Sequence, residues 1–283
     1  MMTKFIAEVS SNHHQDLTRC INFINVASDI GCDAVKFQLF QLDELFSVEA
    51  RRARPEFEER RNWELPVEYL SSLKDHCDKK EIKFSCTPFY LSAVQELEPY
   101  VDFYKIASYE LLWHDLILEV AKTGKELVLS TGMATLSEIE QAVAIFRSAS
   151  SADLTLLHCI SGYPTPLKDC NLSAIETLRK NFNTPVGWSD HSKSKFVVER
   201  SISKWGATTI EFHLDLDGRG DEFNTGHCWL PEEISEVIKN VRKYELIDGS
   251  GKKEPMASEI FDREWRADPT DGQRPLIKTR ILL

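Results

Sequence analysis

The sequence has no apolar run approaching 18 residues, so a membrane-spanning helix is excluded. Its opening, MMTKFIAEVSSNHH, lacks the apolar stretch of a signal peptide and leads straight into a strand-like segment. No Cys-x-x-Cys pair occurs. The seven cysteines, an odd number, stand at positions 20, 32, 77, 86, 159, 170 and 228, and the expectation is free thiols in a reducing, cytoplasmic setting. There is no Gly-x-Gly-x-x-Gly, the fingerprint of many open nucleotide-binding sheets. Low-complexity segments are missing too. Positive charge is in deficit: 34 Lys and Arg against 45 Asp and Glu give a net charge of −11. A broad nucleic-acid surface is therefore not expected. A small anionic ligand is still compatible, because a few lysines in a cleft dominate the local field.

What is present is ordinary globular composition, 42% hydrophobic and 28% charged over 283 residues, enough for a conventional core. Strand-like segments at residues 4–9, 34–38, 83–87, 103–107, 126–130, 153–159, 185–188 and 208–213 alternate with amphipathic helical segments. Strand then helix, eight times over, predicts an α/β (β/α)8 TIM barrel. It occupies residues 1–246 as a single domain, with a short C-terminal extension at 247–283 that packs on the barrel or covers its site. Thr135-Leu-Ser-Glu138 predicts a helix start, and Gly31, Gly124 and Gly206 predict helix ends. Residues 39–65, with the run RRARPEFEERR, break the rhythm as an excursion after strand 2. A short helix is expected near residues 258–265.

In such a barrel the chemistry sits at the C-terminal ends of the strands. Those ends carry Glu8, Lys36, Thr87, Lys105, Ser108, Ser130, His158, Ser161, Tyr163, Ser189, His191, Glu211 and His213. Lys36 and Lys105 stand inside apolar runs, where a lysine must find a partner or shift its pKa. Two lysines with hydroxyl donors suit a phosphate, and the residues after strand 5 add backbone N–H groups. His191 and His213, on neighbouring strands, are placed to share a divalent ion, with Glu8 beside them. His158 reads as a satisfied structural histidine, Cys159 as a small core residue, and His76 and His114 as surface or packing residues.

The ordered set Ile6-Ala-Glu8, Asp33-Ala-Val-Lys-Phe-Gln38, Thr87-Pro-Phe89, Tyr104-Lys-Ile-Ala-Ser108, Leu129-Ser-Thr-Gly-Met-Ala134, Tyr163-Pro-Thr-Pro166, Val186-Gly-Trp-Ser-Asp-His191 and Ile210-Glu-Phe-His213 resembles the catalytic barrel of the sialic acid (N-acetylneuraminate) synthase family. The resemblance covers residues 5–245. It implies condensation of phosphoenolpyruvate with an aldose to a 2-keto-3-deoxy sugar acid. It implies a metal, Mn or Mg, on His191 and His213. Lys36, Thr87, Lys105 and Ser108 would hold phosphoenolpyruvate, with Ser130 and Ser189 nearby. Glu8 and Glu211 would position aldehyde, water or their protons, and Tyr163 and Ser161 would line the acceptor side. No membrane or nucleic-acid partner is implied, and a homo-oligomer is compatible. Alternatives are the same condensation on another aldose or aldose phosphate, and a non-catalytic sugar-acid-binding relative.

Three departures from the family pattern stand out. Phe212 replaces a lysine on strand 8, but alternation points it away from Glu211 and His213. The usual Gly-Pro-Asp-His segment is replaced by residues 219–229, where Asp221 and His227 are the candidate substitutes. The family's C-terminal antifreeze-like domain has no counterpart in the extension.

Overall fold

A computed structural model of the protein describes residues 2–282. Eight parallel strands close into a barrel in chain order: β1 (Lys4–Glu8), β2 (Ala34–Leu39), β3 (Lys83–Pro88), β4 (Phe103–Ile106), β5 (Leu127–Ser130), β6 (Leu154–Cys159), β7 (Val186–Asp190) and β8 (Thr209–His213). The barrel closes where β8 pairs with β1, setting His213 opposite Glu8. Each strand leads to a helix on the outside, the first being Leu17–Asp29 and the eighth Pro231–Asp248. The architecture is the (β/α)8 barrel that the alternation predicts.

The local causes are visible. Helix Leu17–Asp29 starts because Asp16 Oδ1 accepts from the N–H groups of Thr18 and Arg19 at 2.8 and 3.3 Å. It buries Cys20, Phe23, Ile24 and Ala27, one stripe at helical spacing. Helix Leu136–Ala149 begins on the anticipated capping box, in which Thr135 and Glu138 exchange side-chain and backbone hydrogen bonds. The excursion after β2 folds as short helices Leu42–Leu45 and Val48–Ala53 and a 3-10 segment Pro55–Trp63. There the Arg60 guanidinium lies 5.3 Å from each of the Phe46, Phe57 and Trp63 rings, so part of that charged run packs on aromatic faces.

Period-two alternation divides the strand residues between two environments. Phe5, Ala7, Val35, Phe37, Tyr104, Ile106, Trp188, Ile210 and Phe212 point outward into the core beneath the helices. Ile6, Ala34, Phe103, Val128 and Leu157 form a separate apolar plug inside the barrel. Lys36, Lys105, Glu8 and Glu211 share the inward-facing rows with that plug and lie beyond it, toward the C-terminal ends. Phe212 sits in the outer core, as alternation requires.

The chain divides into two compact units, residues 1–243 and 244–283, and the division falls inside the helix Pro231–Asp248. The second unit holds 3-10 turns Ala257–Glu259 and Asp262–Trp265 and a short helix Ile277–Arg280. Asp268 organises it by accepting from the N–H groups of Thr270 and Ile277 at 2.9 and 2.8 Å. Among the described residues no helix is long and apolar enough to cross a membrane.

At Gly187 the lumen leaves no room for a side chain. A Cβ there would collide with the carbonyl of Thr209 and lie 2.6 Å from Leu157 Cδ2, a member of the plug. Backbone cannot yield as a flexible side-chain tip can. We expect Gly187→Ala to destabilise the barrel by roughly 1–3 kcal/mol, read as a lowered urea midpoint; an unchanged midpoint would contradict this packing.

Candidate functional site

Four charges are buried in the upper lumen. Lys36 forms an ion pair with Glu8, lies 4.0 Å from Glu211 Oε2 and donates to Thr87 Oγ1 at 3.1 Å. Lys105 lies 3.6 Å from Glu211 Oε1 and donates to the carbonyl of Ile106 at 3.1 Å. Ser189 donates to Glu211 Oε1 at 3.3 Å. Glu8 Oε1 accepts from Gln38 Nε2 and from the Ser10 N–H at 2.8 and 3.0 Å. Both lysines are at most 3% exposed. Burial pulls Lys36 down, but Glu211 and Glu8 outweigh it and raise its pKa. Lys105 is lowered, because burial outweighs Glu211. Glu211 is pushed up by burial and, more strongly, down by Lys105 and Lys36. Buried charges at this density are costly unless mutually compensated, and they give weak support to stability. Their presence points to a charged ligand.

Beside them is a wall of hydroxyls. Ser108 Oγ accepts from the Gly132 N–H at 3.0 Å and lies 3.1 Å from Cys159 Sγ. The Ser130 and Ser161 hydroxyls are buried with no protein partner. Gly132 is required here: a Cβ would lie 2.5 Å from Ser161 Oγ and 2.8 Å from Ser108 Oγ. Unpartnered buried hydroxyls beside two ammonium groups form a cradle for an oxyanion. Glu110, in the turn after β4, has a buried, unpartnered Oε2, and burial lifts its pKa to about 7. That value suits proton transfer near neutral pH.

The third part is an imidazole corner. His191 follows β7, His213 ends β8, and His227 lies in the loop after β8. The His191 and His213 rings are 5.4 Å apart, and those of His213 and His227 are 4.6 Å apart. The Tyr163 ring lies tilted against His191 at 4.3 Å and meets His227 edge-on at 5.0 Å. His191 Nδ1 bonds the Ile160 carbonyl at 2.8 Å. Glu222 Oε2 accepts from His213 Nδ1 at 2.8 Å, and its Oε1 accepts from Ser10 Oγ at 2.6 Å. Burial and the neighbouring His213 charge drive His191 to a pKa of about 3. His213 is raised, because Glu222 outweighs burial. Glu222 is lowered, because His213 and His227 outweigh burial.

Most of the residues read from the sequence converge here: Glu8, Lys36, Thr87, Lys105, Ser108, Ser130, Ser161, Tyr163, Ser189, His191, Glu211 and His213. Asp221 does not. It is exposed, and the residue after it, Glu222, turns inward because its N–H donates to Asn12 Oδ1 at 2.9 Å. Glu222 and Glu110 went unread, although both lie in loops that follow strand ends. His158 bonds the Cys170 carbonyl at 3.0 Å and packs on Trp188, a structural placement. Cys159 is buried, and burial raises its thiol pKa, which disfavours the nucleophilic thiolate.

Residues 23–253 match the NeuB family. The chain belongs to the NeuB family. An uncharacterized protein of Methanocaldococcus jannaschii is 39% identical over 258 residues, 91% of this chain and 75% of that protein. The N,N'-diacetyllegionaminic acid synthase of Campylobacter jejuni is 32% identical over 270 residues, 91% of this chain and 80% of that enzyme. The crystal structure of N-acetylneuraminic acid synthetase from Leptospira borgpetersenii, in complex with citrate, superposes with a TM-score of 0.83 at 33% identity, covering 94% of this chain and 92% of that one. A truncated 3-deoxy-D-arabino-heptulosonate 7-phosphate synthase of Thermotoga maritima shares the fold, with a TM-score of 0.68 at 15% identity. The expected kinship with sialic acid synthases therefore holds at the level of this family.

The buried histidines set an acid limit. Burial lowers His191 to about 3 and His13 to about 4, from 6.5. Both rings stay neutral in the folded protein where the unfolded chain would protonate them. Their contribution is complete above pH 6.5 and is lost as the pH falls toward 4. We expect chelator-treated protein to lose on the order of 2 kcal/mol per histidine between about pH 6.5 and 5, measured by urea unfolding. His191→Gln should flatten part of that slope. A level profile in the native protein would contradict the neutral-ring assignment.

Proposed function

We propose that the protein condenses phosphoenolpyruvate with the open-chain form of a 2-acetamido aldose, N-acetylmannosamine-like, to give a 2-keto-3-deoxy nonulosonate and inorganic phosphate. The NeuB family is one of sugar acid synthases that use phosphoenolpyruvate. The observation that carries the reading for this chain is the conjunction of the buried Lys36–Lys105 pair, the unpartnered Ser130 and Ser161 hydroxyls and the imidazole corner above them.

Lys36, Lys105, Thr87, Ser108 and Ser130 would receive the anionic groups of phosphoenolpyruvate. Glu8 and Glu211, which hold the lysines in the free protein, would then be released toward the aldehyde and water. Carbon 3 of phosphoenolpyruvate bonds to the aldehyde carbon, water adds at carbon 2, and the tetrahedral intermediate loses phosphate. Water loses a proton as it adds and the new alkoxide gains one, and Glu8, Glu211 and Glu110 are the groups in reach. The imidazole and carboxylate donors of the corner fit a divalent ion, and His191 and His213 are the pair first expected to hold Mn or Mg. When bound, such an ion would polarise the acceptor aldehyde. Orientation of two substrates over a preorganised charge set supplies the remaining rate enhancement. An acceptor carrying a phosphate is disfavoured, because the buried Glu222 carboxylate of the corner would repel a second anion brought beside it. The seven cysteines are all unpaired and buried, which suits a reducing compartment such as the cytoplasm.

The experiment is phosphate release from phosphoenolpyruvate across an aldose panel with Mn, then with chelator. Release with 2-acetamido sugars and none with arabinose 5-phosphate is expected. No release with any acceptor would overturn the condensation in favour of a binding role. Lys105→Ala should weaken phosphoenolpyruvate binding about 10- to 100-fold, the worth of one charge-assisted contact. Burial lowers the Lys105 pKa and a bound anion raises it again, so binding should weaken as the pH rises toward the alkaline range where Lys105 loses its proton. Calorimetry across a pH series measures that dependence, and the same affinity in Lys105→Ala as in the native protein would remove Lys105 from the anion site.

Gly132→Ala should weaken phosphoenolpyruvate binding by at least about tenfold with little loss of fold, because the added methyl fills the cradle rather than the core. Unchanged affinity would move the anion elsewhere in the lumen.

A further inference from the structure

The inward row of β6 continues past the apolar plug. Leu157 belongs to the plug, so period-two alternation turns Cys159 into the lumen at the level of the charge layer. There its thiol is part of the wall of the anion cradle. A Cβ on Gly132 would lie 3.0 Å from Cys159 Sγ, 2.8 Å from Ser108 Oγ and 2.5 Å from Ser161 Oγ, so three side chains converge where residue 132 has none. Cys159 is buried, and its Sγ is 3.1 Å from Ser108 Oγ.

The hydrogen count at Ser108 decides what that contact does. A serine hydroxyl has one hydrogen to give and two lone pairs. The Gly132 N–H donates to one lone pair at 3.0 Å. If Ser108 gave its hydrogen to Cys159 Sγ, it would keep none for a ligand. If the thiol donates instead, both lone pairs are filled and the hydroxyl hydrogen is left to face the cradle, beside the unpartnered Ser130 and Ser161 hydroxyls. Burial keeps the thiol protonated, the form that donates. An anion held there draws the Ser108 hydrogen toward itself, and each bond in the chain from thiol to hydroxyl to anion polarises the next.

We propose that Cys159 is a positioning residue, whose S–H donates to Ser108 Oγ and aims the Ser108 O–H at the anion in the cradle. The inference rests on the proposed condensation only in taking phosphoenolpyruvate as that anion. A cysteine that reads from the sequence as core filling thus makes a hydrogen bond that no apolar residue of its size can replace.

The test has two arms. The first needs no substrate: the infrared S–H stretch of the native protein is compared with that of Ser108→Ala. Seven unpaired thiols contribute to the spectrum, and Cys159→Ala identifies the relevant band by deleting it. The expected result is a hydrogen-bonded band that moves to higher frequency when Ser108 is lost. A band that stays in place would overturn the donor assignment. The second arm is calorimetry with phosphoenolpyruvate. Cys159→Ala should weaken binding about 3- to 10-fold, the worth of one neutral hydrogen bond, and leave the acceptor KM unchanged. Cys159→Ser keeps a donor and should restore most of the loss. In the Ser108→Ala background, Cys159→Ala should add nothing, with circular dichroism confirming the fold of every variant. A loss that serine does not restore, or one of equal size in both backgrounds, would return Cys159 to a packing role. Native protein that binds no phosphoenolpyruvate would sink the proposed condensation, and the infrared arm would then decide the thiol contact alone.

Discussion

Two ammonium groups and two carboxylates share the dry upper lumen of the barrel, and much of the site is arranged around that fact. Lys36 and Lys105 cannot stay charged there unaided, because burial penalises both. Glu8 and Glu211 compensate them, and Glu211 touches both, at 4.0 and 3.6 Å. This gives the free protein a mutually compensated charge layer. In the proposed reaction an incoming dianion would partly dismantle it, and binding would be an exchange of partners. The lysines would turn from carboxylates to ligand, and the carboxylates would become available for proton transfer.

The barrel's register makes the exchange geometrically possible. Closure of β8 on β1 sets Glu8 opposite His213, so the charge layer and the imidazole corner meet at one seam. Alternation places Ile6 below Glu8, Phe103 below Lys105 and Ala34 below Lys36, so each charged residue stands on the apolar plug. A shift by one residue in any of these strands would exchange core for site. Gly187 and Gly132 act in the same way at smaller scale. One makes room for Leu157 in the plug, and the other lets Ser108 and Ser161 approach.

Features set by strand alternation and local capping were legible in the sequence. The capping box at Thr135, the outward Phe212, the inward Lys36 and Lys105 and the late histidines all follow from period-two alternation or from contacts within a few residues. Glu222 was not legible, and the reason is physical. Its inward turn depends on Asn12, 210 residues earlier, and on Gly220 having no side chain to displace Asn12 Oδ1. Asp221 and Glu222 are chemically alike and adjacent, so only the tertiary clamp distinguishes the exposed one from the ligand-like one. Glu110 is a parallel case. It lies beyond the strand in a 3-10 turn, and its burial comes from packing rather than from any local pattern.

The loop after β8 is also where this chain departs from the pattern expected of its relatives, and the departure is coherent. Arg19 bonds the carbonyl of Asn12 at 2.7 Å and Asp215 Oδ1 at 2.8 Å, and Asp215 Oδ2 in turn accepts from the Gly220 N–H at 3.2 Å. Trp229 closes the loop by pairing its N–H with the His213 carbonyl at 2.8 Å and its indole N–H with Asp190 Oδ2 at 3.0 Å. A loop tied at its start, middle and end is a rigid element, and rigidity is what a metal or substrate site requires of its donors. Those ties fix Glu222, His227 and Cys228 together with His213. The loop after β8 is therefore one preorganised wall of the candidate site, and the lysine and hydroxyl side chains of β2, β4 and β5 form another.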